Sequence, residues 1–401
     1  MFLANKIFKL AVLNTHPVQY FAPLYMRLAQ NPLMNLTVYY CSAQGSLSYY
    51  DPGFGKQYQW DRPLLEGYRS VFLKNLKRKD KVGDFFSLIN VGIIKEIYKN
   101  NYDAIWLHGY SYFTHFIAFV ISRFLKIPVF MRGESHLYLK RPHWKQKLHK
   151  IIISKIYKNC DALLAIGSRN KEFYISYGVD IKKIFHVPYV VDNDFFISNS
   201  RKKKEEASKV REDFGLDSQT PIILYASKFI ERKKPHHLLE AFHLLQKKNV
   251  NAALCLVGSG PYEIQLEKYI EDNKIKNVYF FGFKNQTELP LYYALGDIFV
   301  LPSSNEPWGL AINEAMCAGL PIIANKEIGA VADLVKEGVN GFLYSEGDIL
   351  ALSEYLEKLI KDVGVREAMG KKSLEIIQAW NYESCIQGVI EALKFIKTRQ
   401  R

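Results

Sequence analysis

Apolar runs of three to six residues recur along the chain, each closed by a polar, proline or glycine turn. In the first half they fall at 9–13, 36–40, 103–107, 128–131, 162–166 and 184–187, and in the second at 222–226, 252–257, 278–280, 298–301 and 321–324. Runs this short, rich in Val, Ile and Leu, predict strands buried on both faces of a parallel sheet. Longer stretches with helical spacing lie between them, at 20–29, 111–125 and 236–246. Strand–helix–strand order repeated in this way predicts α/β layers.

The pattern restarts near the middle, so two units are expected. Residues 1–190 form the first and 195–380 the second, each a Rossmann-like α/β domain facing the other across a cleft. A C-terminal helix, about 381–401, is expected to pack back on the first. Residues 42–75 read as a long, ordered, aromatic-rich loop with short strands, and loops of that length often carry function. The charge-rich stretch at 199–213 reads as an exposed segment near the linker. In open α/β sheets ligands bind beyond the carboxyl ends of the strands, which here border the cleft.

One segment concentrates chemistry. The run at 298–301 ends in Pro302-Ser303-Ser304, then Glu306-Pro307-Trp308-Gly309-Leu310, then a helix carrying Glu314 that stops at Gly319 with Pro321 beyond. Free N–H groups at the helix start, near Gly309 and Leu310, can hold a diphosphate with help from the helix dipole. Glu306 can accept hydrogen bonds from sugar hydroxyls. Glu314, about two turns into the helix, can reach a ribose diol. The plain alternative is an ordinary βα unit with surface glutamates. Earlier, Lys228 and Lys233 follow the strand at 222–226, where cations can stabilise the charge of a departing diphosphate.

The strand, Pro-Ser, Glu306, Gly-Leu, Glu314-Ala315, Gly319 and Pro321 resemble, in order, the E-x7-E signature of family-four retaining glycosyltransferases of the GT-B fold, also called glycosyl transferases group 1. The resemblance implies Glu306 as donor-sugar binder, Glu314 as ribose binder, and Lys228 and Lys233 as diphosphate stabilisers. Ser227 stands where the family usually has glycine. It also implies donor-side roles for Trp308, Gly309, Leu310, Gly258, Gly260 and Phe283, with Gly329-Ala330 as a donor-sugar-side turn. His108, at the end of the run at 103–107, matches a cleft histidine. His16, Arg132 and Glu134 are acceptor-side candidates, with structural ion pairing as their alternative. Residues 16–25, 51–55 and 60–68 match one subgroup, so the resemblance covers nearly the whole chain. What it implies is retaining transfer from a UDP- or GDP-linked sugar to a lipid-linked or glycan acceptor, by a front-face route with no metal, no cofactor and no protein nucleophile. Surface polysaccharide or glycoconjugate biosynthesis is the expected setting. The alternatives are a nucleotide-sugar epimerase or hydrolase of the same fold, and a non-catalytic sugar-nucleotide or polyanion binder.

Composition narrows these readings. The chain has 401 residues and a net charge of +14, which favours anionic partners. Residues 140–158 hold seven Lys or Arg and no acid, with Trp144, Leu148, Ile151, Ile152 and Ile156 at helical spacing. That predicts either a helix resting on anionic lipid or a packing helix with a solvated basic face. A nucleic-acid partner is not expected, because such a partner would need a basic, aromatic-interleaved surface and the basic stretch has one Trp. Gly258-Ser259-Gly260 does not complete a dinucleotide fingerprint, since Glu263 takes the last glycine position. Asp192-Asn193-Asp194 has D-x-D spacing but sits in the expected linker, so no metal is assigned. The five scattered cysteines form no C-x-x-C pair and fit a reducing compartment. The longest apolar run, 113–125, is interrupted by Arg123 and is shorter than the roughly 20 residues of a spanning helix. The expected location is the cytoplasm, with the inner face of the cell membrane as the place the basic helix would add.

Overall fold

A computed structural model describes residues 6–77, 82–140, 143–217 and 219–399, apart from the side chains of 143–149. Two parallel sheets organise it. The first has seven strands in the order Arg69–Phe72, Met34–Tyr40, Phe8–Asn14, Ala104–His108, Val129–Arg132, Ala162–Ala165, Ile184–His186. The second has six, in the order Val278–Gly282, Ala253–Val257, Ile222–Ala226, Ile298–Leu301, Ile322–Asn325, Gly341–Tyr344. The central strands are buried along nearly their whole length because helices cover both faces. An antiparallel hairpin, Tyr49–Asp51 with Lys56–Tyr58, projects from the aromatic-rich segment between the second strand and the sheet edge.

The charge-rich stretch is mostly exposed, as expected, and it is helical. It forms two helices, Asn193–Lys202 and Lys204–Asp213, that pack on the helix Leu289–Leu295. Phe196, Ser200 and Ala207 are buried while the lysines and glutamates around them face solvent. One narrow apolar stripe was enough to order a segment whose composition is dominated by its solvated face.

The helix Tyr382–Arg399 lies against the strands Ala162–Ala165 and Ile184–His186 and the helix Ala22–Gln30. Gly388 permits this contact, since a Cβ there would fall 2.0 Å from the carbonyl oxygen of His186. Lys397 pairs with Asp103 at 3.1 Å and Arg27 with Glu383 at 2.6 Å. One continuous core runs from Leu10 and Trp106 through Tyr189 and Val191 to Phe299, Trp308 and Leu393, so both sheets share packing. Among the described residues no helix is long and apolar enough to cross a membrane. All five cysteines are buried and free of disulfides.

Candidate active site

The carboxyl ends of both sheets face a cleft of about 490 Å³. Its floor on the C-terminal side is the loop between the strand Ile298–Leu301 and the helix Leu310–Cys317. Gly309 starts that helix with φ of 99°, a left-handed conformation that favours glycine. A Cβ there would also press on Ile328 and Leu301 at 3.0 and 3.1 Å. No side chain caps the helix, so its first N–H groups are left for a ligand. The turn at Gly329 braces the same loop: its N–H donates to the carbonyl of Glu306 at 3.1 Å, and a Cβ would lie 1.9 Å from the oxygen of Pro307. From the other half, His136 Nε2 donates to the Glu306 carbonyl at 2.9 Å.

Glu306 is buried, and one oxygen, Oε2, accepts from both Arg232 Nη1 at 2.9 Å and Lys233 Nζ at 2.5 Å. Burial works against its charge, but the two cations outweigh that and hold the carboxyl below its ordinary range. Burial likewise pulls Lys233 down, with Glu306 opposing. Glu314 lies on the buried face of the helix. It accepts from Tyr293 Oη at 2.6 Å and from Tyr20 Oη, across the cleft, at 3.1 Å. With no cation among these partners, burial pushes its carboxyl up to about 7 despite the two hydroxyl donors. Lys228 points to the N-terminal half, where Asp51 of the hairpin accepts from it with both oxygens, at 2.7 and 3.0 Å.

The candidates named from sequence divide into two groups. Glu306, Glu314, Lys228, Lys233, Gly258, Phe283, Trp308, Gly309, Leu310 and Glu134 line the cleft. Trp308 is nearly buried, its Nε1 donating to Asn313 at 3.0 Å. The others stand behind the lining. His108 bonds Tyr25 Oη at 2.8 Å and stacks on Trp106, and burial together with nearby Arg132 holds its imidazole well below the ordinary range. Arg132 is buried over Phe21 and Tyr189 and donates to the carbonyl of Pro188 at 3.3 Å. His16 bonds Thr15 at 2.8 Å, and burial lowers it to about 4. Gly260 is a close-packing position whose Cβ would meet the carbonyls of Phe229 and Gly53 at 2.5 and 2.8 Å.

Asp192 and Asp194 are engaged elsewhere. Asp192 caps the helix Asn193–Lys202 and pairs with Arg62 at 2.7 Å, and Asp194 pairs with Arg27 at 3.1 Å. Among the described residues no group of three or more His, Cys, Asp or Glu is placed to hold a metal. Sequence reasoning missed Arg232, Asp51, Tyr20, Tyr293 and His136. Arg232 stood beside Lys233 in a basic run and could have been found there; the rest meet the site only through the fold.

Residues 206–375 match the glycosyl transferases group 1 family. Over 277 residues the chain is 27% identical to the sulfoquinovosyl transferase SQD2 of Arabidopsis thaliana, covering 67% of this chain and 52% of that protein. It is 26% identical over 265 residues to the capsular polysaccharide biosynthesis glycosyltransferase CapM of Staphylococcus aureus, covering 65% of this chain and 60% of the relative. The aligned stretch thus spans about half to three-fifths of these two relatives. A crystal structure of Anabaena HepE in complex with UDP superposes with a TM-score of 0.74 at 18% identity, covering 96% of this chain and 99% of that one. Sucrose-phosphate synthase from Thermosynechococcus elongatus gives 0.70 at 17% identity, covering 98% and 100%. The architecture is that of the GT-B glycosyltransferases, two Rossmann-like domains with a cleft between them.

Proposed function

We propose that the chain is a retaining, metal-independent glycosyltransferase that moves a sugar from a UDP- or GDP-linked donor to a lipid-linked or glycan acceptor. The observation that carries this reading is an ionised Glu306 between Arg232 and Lys233, beside the uncapped start of the helix Leu310–Cys317, in a cleft closed by both halves. A diphosphate lying on the helix start meets N–H dipoles and the ammonium of Lys233. As the glycosidic bond breaks, charge gathers on that diphosphate, and preformed positive groups stabilise it more than the intact donor. Glu306 then grips hydroxyls of the sugar while Glu314 takes the ribose diol. Gln19, Tyr20 and Glu134 form the wall opposite, where an acceptor would enter. The UDP bound in HepE and the capsular polysaccharide named for the staphylococcal relative support this donor and acceptor class.

The proposal extends to a peripheral place on the cytoplasmic face of a membrane. In the helix His143–Lys158, Ile151 and Ile152 are exposed beside Lys150, Lys155 and Lys158, while Ile153 and Tyr157 are buried against the sheet. Arg141, Pro142 and the side chains at 143–149, including Trp144 and Leu148, lie outside the described residues.

The test is nucleotide release from a panel of UDP- and GDP-sugars, with and without lipid-linked acceptors. Glu306→Ala and Lys233→Ala are each expected to lower turnover roughly 10²- to 10³-fold, the usual cost of a group that meets developing charge. Rates equal to the parent would refute the assignment. Acceptor-independent nucleotide release would point instead to a hydrolase, and an altered sugar still joined to its nucleotide to an epimerase.

A further inference from the structure

The hairpin Tyr49–Tyr58 comes from the N-terminal half but is fastened almost wholly to the C-terminal one. Ser259 Oγ donates to the carbonyl of Phe54 at 2.8 Å, and Phe54 and Tyr58 pack on Phe283 with ring centroids 4.7 and 4.5 Å apart. Further along, Asn285 Nδ2 donates to the carbonyl of Gln59 at 2.7 Å, and Thr287 N donates to Asp61 at 3.0 Å. At the cleft end of this strap stands Asp51. Its Oδ1 accepts from the N–H groups of Gly53 and Phe54 at 2.7 and 3.2 Å, which fixes the carboxylate in place. Both its oxygens then reach Lys228 Nζ, whose ammonium also lies 4.6 Å from the Phe54 ring centre.

We propose that Asp51 is a residue that sets donor affinity: its carboxylate holds Lys228 where the donor diphosphate is to bind, so donor binding exchanges one anion for another and loosens the hairpin. This rests on the reading of Lys228 as a diphosphate cation. The pair is partly shielded, with side-chain exposures of 13% for Asp51 and 31% for Lys228, so its charges are less screened than those of a surface pair. Burial opposes the charge of Asp51, but Lys228 and the two N–H donors outweigh it and keep the carboxyl below its ordinary range. A ligand must therefore bring enough negative charge to take over the ammonium. A diphosphate does so and an uncharged nucleoside does not. The hairpin thereby couples the charge of the ligand to release of the contacts on Phe283, Ser259 and Thr287.

The experiment is calorimetric titration of the full chain with UDP, GDP and uridine. Asp51→Asn keeps the size of the side chain and removes the competing charge. It is expected to tighten UDP or GDP roughly tenfold, near the lower end for one charge-assisted hydrogen-bonded pair because this one is only partly shielded, and to leave uridine unchanged. Asp51→Glu should bind like the parent. In a Lys228→Ala background, Asp51→Asn should give no tightening. A merely structural strut predicts the reverse, weaker or equal binding in Asp51→Asn, and that result with Lys228→Ala still weakening UDP overturns this proposal alone. Absence of any UDP or GDP binding by a normally melting parent would overturn the proposed function and this inference together. Should Asp51→Asn fail to fold, Asp61→Ala removes the acceptor of the bonds from Thr287 and leaves the cleft charges in place. It should tighten UDP about two- to threefold, and unchanged affinity there counts against the proposal.

Discussion

The loop that carries Glu306 and the helix face that carries Glu314 are joined by a few residues, and both open on the same cleft. Each carboxyl is buried. Their partners differ: two cations meet Glu306, and two phenol hydroxyls meet Glu314. The first carboxyl is driven below its ordinary range and the second rises to about 7. Burial alone therefore does not decide the charge of a cleft carboxylate; the nature of the hydrogen-bond donor does. A fixed charge suits the donor-binding role proposed for Glu306, and a carboxyl that titrates near pH 7 suits the hydrogen-bonding role proposed for Glu314.

The largest effect expected from breaking this contrast lies at Glu306. Glu306→Gln leaves Arg232 and Lys233 facing each other with no anion between them. Removing one member of a buried pair costs roughly 3–5 kcal/mol, and urea melts at pH 7 should show a loss of that order. The folded carboxyl is lowered, so its contribution is present above its ordinary value of 4.5 and is lost as pH falls through the folded one. The deficit of the variant should accordingly shrink on acidification. A deficit constant with pH would mean the side chain acts by packing rather than by charge.

Glu314→Gln should move the other way. The folded carboxyl is raised from 4.5 to about 7, so stability is fully present below 4.5 and is lost as pH rises through about 7. That shift corresponds to about 3 kcal/mol of penalty above pH 7, less about 1 kcal/mol for the weaker amide hydrogen bonds. The variant should exceed the parent by about 2 kcal/mol at pH 8, and the two curves should cross on acidification, leaving the variant about 1 kcal/mol below the parent near pH 4.5. Equal stability at pH 8 would show that Glu314 is ionised at little cost and that the contrast with Glu306 is one of partners only.

Much of this site could be anticipated from sequence, for physical reasons that also mark the limit. Strands buried on both faces leave unbroken apolar runs, and nine of the eleven expected strands are of that kind; the other two, 184–187 and 278–280, are matched by the half-buried Ile184–His186 and Val278–Gly282. Glu306, Gly309 and Glu314 sit on one loop and one helix, where spacing fixes geometry. Contacts that join distant segments leave no such trace. Asp51 and Lys228 are 177 positions apart, and His136 and Glu306 are 170 apart. His108 ends a strand as expected, yet Tyr25 and Phe21 stand against it, and nothing in the spacing of the chain reveals that intervening layer. The helices from Asn193 to Asp213 were hidden by their own charge, since most of their residues face water.

The smallest effects separate the two hydroxyls that hold Glu314. Tyr293, on the same half, donates at 2.6 Å, whereas Tyr20 reaches across the cleft at 3.1 Å. Each hydroxyl favours the ionised carboxyl, so its removal should push Glu314 further up and show most above pH 7. Tyr293→Phe should cost about 1 kcal/mol at pH 8, the usual net worth of a buried hydrogen bond, and Tyr20→Phe about half that because the bond is longer. Combining each with Glu314→Gln in a double-mutant cycle isolates the pairwise part. A larger coupling for Tyr293 than for Tyr20 places the control of Glu314 within the C-terminal half. A larger coupling for Tyr20 would mean that closure of the cleft itself tunes the carboxyl, and the charge of Glu314 would then report on whether the two halves are together.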